Sequence, residues 1–276
     1  MRFTKTIAVV TAAMLLAVPA AASAKTLIGS GSTAAEPFLL SLFKGYKKKH
    51  PNISFIYTAN GGNSGVKDVQ EGRSQFAGQA RLPLPSDAGT TYVKLFLDGL
   101  CIVANPANKL TNITTPQLRD IYQANVTSWT QFPGSGLNTT IAPVGRDSNG
   151  GTYNFFVSAI LNNTPPASNV NALTTDALVK NAVARDPNAI GYNGLAYTQD
   201  NKTKKLRLDG FQCRPKTIKN LKYPLSRFLW LVLPSASPDK DVQKFADWVR
   251  TSPEAGTIIT KVGGVPAFNK KPKKKH

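Results

Sequence analysis

The chain has 276 residues, 41% hydrophobic and 9% aromatic, with 34 Lys and Arg against 15 Asp and Glu for a formal net charge of +19. That length and apolar content suit one large or two medium domains and exclude disorder of the whole chain, while two Cys cannot build a disulfide scaffold. Two His leave little for a His-based metal site or a Ser-His-Asp triad, so no cofactor or metal is expected, and the basic excess favours anions: phosphate, acidic lipid or nucleic acid.

Met1–Ala24 reads as an export signal, with basic Arg2 and Lys5, an apolar run from Ile7 to Val18, and the small-x-small ending Ala22-Ser23-Ala24. The run is shorter than the about 20 residues that a membrane span needs. Cleavage after Ala24 is expected to leave a periplasmic chain beginning at Lys25, with no Cys at the cut to carry a lipid anchor. In that oxidising compartment Cys101 and Cys213 are expected to pair; two separate buried thiols are the other reading.

Strand-like and helix-like segments then alternate, which predicts α/β architecture. Thr26–Ile28 is a short strand that runs through Gly29–Thr33 into a helix over Glu36–Lys48. Ile53–Tyr57 alternates as a strand, followed by the turn Asn60–Gly65 and a helix over Val66–Glu71. Phe76–Arg81 is a third strand leading into a Pro-rich loop, and Leu95–Ala104 is a longer, more apolar one. Thr114 with Pro116 and Gln117 is a helix-start signature for a helix through Leu118–Tyr122. Ile141–Val144 is a strand, Gly145–Thr152 a turn and Tyr153–Leu161 a helix. A helix over Asp176–Arg185, strands at Ala189–Tyr192 and Phe228–Leu233, and an amphipathic helix over Asp241–Arg250 complete the pattern. Lys270–His276 is nearly all basic and reads as a disordered tail.

The order strand, Gly/Ser/Thr/Asn turn, helix recurs at Gly29–Thr33, Asn60–Gly65 and Gly145–Thr152. A helix start presents unpaired N–H groups and about half a positive charge. Glycine lets the backbone approach a ligand, and Ser or Thr adds a hydroxyl donor. Each turn is therefore a candidate anion cradle, although such a turn taken singly is more often an ordinary helix cap. The third turn carries Arg146, whose guanidinium suits bidentate binding of an oxyanion.

Several ordered segments resemble one family. They are GSTAAEP (Gly31–Pro37), GGNSGVKDV (Gly61–Val69), LRDIYQANVTSW (Leu118–Trp129), RDSNGGT (Arg146–Thr152), DPNAIGY (Asp186–Tyr192), YPLSRFLWLV (Tyr223–Val232) and the ending EAGTIITKVGGVP. Together they are similar to the periplasmic phosphate-binding receptors of ABC phosphate importers, the shorter type. The resemblance implies a two-lobed type II periplasmic-binding-protein fold with two hinge crossings and an interlobe anion site. Residues 25–102 and 228–269 would form lobe I and residues 103–227 lobe II, with crossings near Cys101–Asn105 and Ser226–Phe228. It implies capture of inorganic phosphate and delivery to an ABC permease, without catalysis.

By the same resemblance Ser32 and Thr33 match the first-lobe contact, Arg146 the binding arginine, and Gly151 and Thr152 the closing Gly-Thr. Gly62 stands where the family usually has Ser, Ala80 where it has Ser or Asp, and Gly150 where it has Ser. Asn63, Ser64 and Arg81 are the candidates to compensate; a surface role for Arg81 is the rival reading. A receptor that separates phosphate from sulfate needs an acceptor for the proton that only phosphate keeps. Asp147 is the candidate acceptor, with Ser148 as the weaker substitute.

Other classes fit less well. Ser64-Gly65-Val66-Lys67 spells SxxK, but Lys-Thr-Gly is absent and Asp147-Ser148-Asn149 is in the wrong order for Ser-Asp-Asn. A Gly-x-Ser-x-Gly elbow and a phosphate loop of the Gly-Lys-Ser/Thr kind are absent too. An adaptor that binds anionic lipid or lipopolysaccharide groups through its basic tail, in weak contact with an anionic membrane surface, is the alternative, as is a receptor for another oxyanion. No nucleic-acid partner is expected, because no aromatic-basic reader motif is present.

Overall fold

The computed structural model describes residues 24–268. The export segment up to Ser23 and the tail at Lys270–His276 lie outside the described residues. In chain order the elements are β1 (Lys25–Gly31), α1 (Glu36–Lys49), β2 (Ile53–Thr58), α2 (Gly62–Gln70), β3 (Phe76–Gln79), β4 (Thr90–Ala104), β5 (Asn112–Ile113) and α3 (Thr115–Tyr122). There follow β6 (Ala142–Arg146), α4 (Gly151–Ile160), β7 (Asn171–Leu173), α5 (Asp176–Arg185), β8 (Ala189–Gly194), β9 (Lys204–Lys205), β10 (Arg207–Leu208) and α6 (Pro215–Lys219). β11 (Ser226–Pro234), α7 (Lys240–Thr251) and α8 (Pro253–Val262) end the described chain.

The main sheet has the order β2-β1-β3-β11-β4-β8-β6-β7. Its outer parts are parallel, β1 with β2 and β3, and β6 with β7 and β8, as helical crossovers require. Its centre is antiparallel and belongs to β4. That strand has 15 residues, long enough at roughly 3.3 Å per residue to run through both halves of the molecule. Thr90–Gly99 pairs with β11, and Leu100–Ala104 pairs with β8.

The two halves of β4 serve two apolar cores. In the first, α1 buries Phe38, Leu39, Leu42, Phe43 and Tyr46 against the sheet, together with Val242, Phe245 and Val249 of α7. The spacing of the α1 residues is that of one helical face. Phe43 stacks on Phe55 of β2 with ring centroids 4.2 Å apart. On the opposite face α2 packs Val66 and Val69 over Ala77 and Val232, so this part of the sheet is covered on both sides. The second core gathers Leu118, Ile121 and Tyr122 of α3, Phe156 and Ile160 of α4, and Val179 and Val183 of α5 around β8 and the second half of β4. After α8 the chain returns to β4, where Val265 pairs with Leu97 and joins this second core. A disulfide links Cys101 on β4 to Cys213 before α6, with Cα atoms 5.4 Å apart.

Local signals explain the helix ends. Thr114 Oγ1 accepts from Gln117 N at 3.3 Å and Gln117 Oε1 accepts from Thr114 N at 2.9 Å, the capping box that the sequence suggests for α3. Asp239 caps α7 by accepting from Asp241 N at 2.8 Å, and Lys25 Nζ ties Asp239 and Asp241 at 3.0 and 2.8 Å. Several boundaries differ from the sequence reading, among them three element starts. α2 begins at Gly62 and α4 at Gly151, rather than at Val66 and Tyr153. Gly61, at φ +100°, makes the whole turn before α2, which leaves Gly62 free to be helical. β4 begins at Thr90 rather than Leu95, because its polar first residues still find a full ladder on β11. Among the described residues no helix is long and apolar enough to cross a membrane.

Candidate functional site

β6 ends on Arg146, whose side chain is only 2% exposed. Nη1 donates to Thr33 Oγ1 at 2.7 Å and to Asp176 Oδ2 at 2.5 Å. Nη2 donates to Thr174 O at 2.6 Å, and Nε to Leu173 O at 3.0 Å. Thr33 Oγ1 in turn donates to the same Asp176 Oδ2 at 2.7 Å. One carboxylate oxygen thus joins Thr33, behind β1, to Arg146 across the cleft. The other, Asp176 Oδ1, is buried without a hydrogen-bond partner among the described residues. Behind this cluster Tyr197 OH donates to Thr33 O at 2.8 Å, Tyr57 OH donates to Ser32 O at 3.0 Å, and Arg146 N donates to Tyr192 OH at 3.0 Å. Burial pushes all three phenols above their usual range, which keeps them protonated as fixed dipoles.

The second turn, Asn60–Gly65, clasps the third, Gly145–Thr152. Asn149 accepts through Oδ1 from Ser64 N at 3.1 Å and Ser64 Oγ at 3.0 Å, and its Nδ2 donates to Asn60 O at 2.8 Å. Asn63 N donates to Asn149 O at 3.2 Å, while Asn63 Nδ2 donates to Ser148 O at 3.0 Å and Asn154 Oδ1 at 2.9 Å. A Cβ on Gly61 would meet the Asn149 side chain, so the close approach of the turns requires glycine there. Asn63 and Ser64 therefore spend their polar groups on closing the cleft.

Among the described residues three buried Arg–Asp pairs surround the cleft. Besides Arg146–Asp176 there are Arg81–Asp87 and Arg227–Asp98. Arg81 is not a surface residue: it is 5% exposed, and its guanidinium donates to Asp87, Tyr92 OH, Leu82 O and Asn63 Oδ1. Burial opposes the charge of Asp87, but bonds from Arg81, Leu84 N and Tyr92 hold its carboxyl below the usual carboxylate range. Arg227 Nε and Nη2 donate to Asp98 Oδ2 at 3.1 and 3.0 Å, and Nη1 donates to Thr152 Oγ1 at 3.1 Å. Asp98 is wholly buried, and that burial lifts its carboxyl above the ordinary value against the pull of Arg227.

Each cation is thus matched by a carboxylate. The attraction left for an anion comes from the Nη2 N–H of Arg146 that Thr174 O does not take, from the first-turn N–H groups of α4, where Gly151 and Thr152 lie outside the i→i−4 ladder, and from the first residue of α2, Gly62. Gly150 allows Arg146 to lie against the start of α4, since a Cβ there would stand 2.8 Å from Nη2. Asp147 is 31% exposed, with Oδ1 at 3.6 Å from Arg146 Nη2 and no hydrogen bond. Ser148 is exposed and offers its carbonyl to Asn63. Ser32 is 3% exposed, accepts through Oγ from Ala35 N at 3.3 Å, and has its N–H on Gly78 O at 2.9 Å.

Sequence reasoning missed Asp176, Gln79, Asn149, Asp98 and Arg227. For the last two a signal existed: each is a charge set in an apolar run, and the two stand opposite each other in the β4–β11 register. The contacts of Asp176, Gln79 and Asn149 are tertiary and leave no local trace.

A family model described as a PBP superfamily domain matches residues 17–254. Among curated proteins the chain is 25% identical to the Phosphate-binding protein PstS of Bacillus subtilis over 251 residues, covering 88% of this chain and 81% of that one. It is 26% identical to the Phosphate-binding protein PstS of Borreliella burgdorferi, covering 80% and 83%. Among solved structures it resembles an ABC-type phosphate transport receptor from Vibrio cholerae, with TM-score 0.72, 25% identity and coverage of 87% and 99%. A Clostridium perfringens protein solved with bound phosphate shares the fold at TM-score 0.82 and 24% identity, covering 88% of this chain and 99% of that one.

Proposed function

The chain belongs to the PBP superfamily, and from that membership we propose that it is an exported receptor that captures inorganic phosphate between its lobes and hands it to an ABC permease. The observation that carries this reading is the bond from Arg146 to Thr33 at 2.7 Å, beside the glycine start of α4. A dehydrated anion needs charge-assisted donors fixed in place, and a buried guanidinium beside helix N–H groups is such a set. Because Thr33 and Arg146 come from opposite sides of the cleft, an anion touching both stabilises the closed form over the open one, by RT ln(1 + [L]/Kd) relative to the empty protein. The names of the relatives support phosphate as the ligand. Export and cleavage after Ala24 put capture in the periplasm, and delivery rather than turnover is the task.

Calorimetric titration of the chain from Lys25 onward with phosphate, sulfate, arsenate and tungstate tests this. One phosphate per chain, held more tightly than sulfate, is expected. Absence of saturable binding by every oxyanion overturns the reading. A nitrocefin or phosphatase assay is expected to stay at background.

A further inference from the structure

We propose that Gln79 is a direct ligand contact, its carboxamide Nε2 donating a hydrogen bond to the bound oxyanion in place of the hydroxyl that Gly62 lacks. This rests on the oxyanion-receptor reading above and names a residue that reading does not require.

Gln79 is the last residue of β3, opposite Trp230 of β11, and is 0% exposed. Its carboxamide lies between two helix starts from opposite sides of the cleft. A Cβ added to Gly62 at the start of α2, or to Gly151 at the start of α4, would collide with Gln79 Oε1. The first turn, Gly29–Thr33, is adjacent, because Ser32 N donates to Gly78 O at 2.9 Å. So the side chain reaches the point where the three anion-cradle turns meet.

The two ends of the carboxamide are used unequally. Oε1 accepts from Ala80 N at 2.8 Å, which fixes the orientation of the amide. Nε2 is buried and has no acceptor among the described residues. A buried amide donor without a partner opposes folding, and an aliphatic side chain would fill the same space without that penalty. A residue that carries this penalty at the convergence of two helix N-termini is poised for an acceptor that arrives with the ligand. A tetrahedral oxyanion supplies one and also satisfies the N–H groups of Gly151 and Thr152.

The glycine pattern fits the same role. The family to which the motifs point usually has Ser where Gly62 stands. Here the room that a side chain on Gly62 would need is taken by the Gln79 carboxamide. A neutral amide adds a donor without adding a cation to a cleft whose arginines are already matched by Asp176, Asp87 and Asp98.

The test is titration of phosphate into wild type, Gln79→Leu, Gln79→Ala and Gln79→Ala/Gly62→Ser, each chain first melted without phosphate to check that it is folded. Gln79→Leu keeps the volume and removes the donor, and phosphate affinity is expected to fall at least tenfold. The double variant places a hydroxyl at the start of α2, in the space that the shortened side chain vacates. It is expected to regain at least threefold over Gln79→Ala, a rescue that a purely structural Gln79 does not produce. Gln79→Glu keeps the shape and the bond from Ala80 and covers the case in which the other replacements unfold; at least a hundredfold loss is expected. Phosphate binding by wild type with unchanged affinity in these variants overturns the role of Gln79. Failure of wild type to bind any oxyanion is a different result, and it overturns the receptor reading on which the role rests.

Discussion

Replacing Arg146 with Ala removes the side chain on which the cleft is organised. Asp176, whose side chain is 0% exposed, then holds a charge without its cation, Thr174 O loses its Arg146 donor, and Leu173 O keeps only the bond from Asp147 N. Breaking a buried ion pair from one side costs about 3–5 kcal/mol, and water entering the vacated volume restores part of the carbonyl bonding. We therefore expect Arg146→Ala to lower unfolding stability by about 4 kcal/mol without phosphate. At about 2–4 °C per kcal/mol for a domain of this size, Tm falls by roughly 8–16 °C. Removing the carboxylate as well relieves the uncompensated charge, so Arg146→Ala/Asp176→Ala is expected to recover about half of the loss. Urea denaturation of the two variants and of Asp176→Ala closes the cycle. Repeating it with phosphate adds the functional reading: wild type gains stability with added phosphate and Arg146→Ala does not, since its affinity is expected to fall by at least about 2 kcal/mol. A loss under about 1 kcal/mol for Arg146→Ala, or a double variant as unstable as the single one, refutes this account of the cluster.

Asp147→Asn is expected to narrow the preference for phosphate over sulfate; a preference that survives it but collapses in Asp176→Asn assigns the proton-accepting role to the buried Oδ1 of Asp176. Mass spectrometry of unreduced protein is expected to find no alkylatable thiol, and removing the 112-residue link between Cys101 and Cys213 to cost about 2–4 kcal/mol in urea. Asp87, held below its ordinary pKa, stabilises the fold above the unfolded value of about 3.9, and this contribution is lost as pH falls through the lower folded value. Between about pH 5 and pH 2 wild type should therefore lose more stability than Asp87→Asn, and parallel profiles would exclude that pair as the source. N-terminal sequencing of exported protein is expected to start at Lys25, and a retained Met1 would rule out the cleavage.

The elements with a local cause were legible in the sequence. The capping box at Thr114 and Gln117, the spacing of Phe38, Leu39, Leu42 and Phe43 on α1, and the recurrence of glycine turns before helices all depend on neighbours a few residues apart. Residues whose role is set by distant partners were not. Gln79 reads as a residue inside a strand, Asp176 as a helix-start acid and Asn149 as a turn residue; only the fold brings them against Gly151, Arg146 and Ser64. The polar start of β4 was missed for the same reason, since Thr90–Lys94 is a strand by virtue of β11, which comes much later in the chain.

The central claim is that an oxyanion sits where the starts of α2 and α4 meet beside Arg146 and Thr33. Crystals grown with arsenate, measured at the arsenic absorption edge, locate the ion directly. A single anomalous peak is expected within hydrogen-bond distance of the Gly151 and Thr152 N–H groups and of Arg146. A peak on the lysine-rich surface with none between the lobes would contradict it.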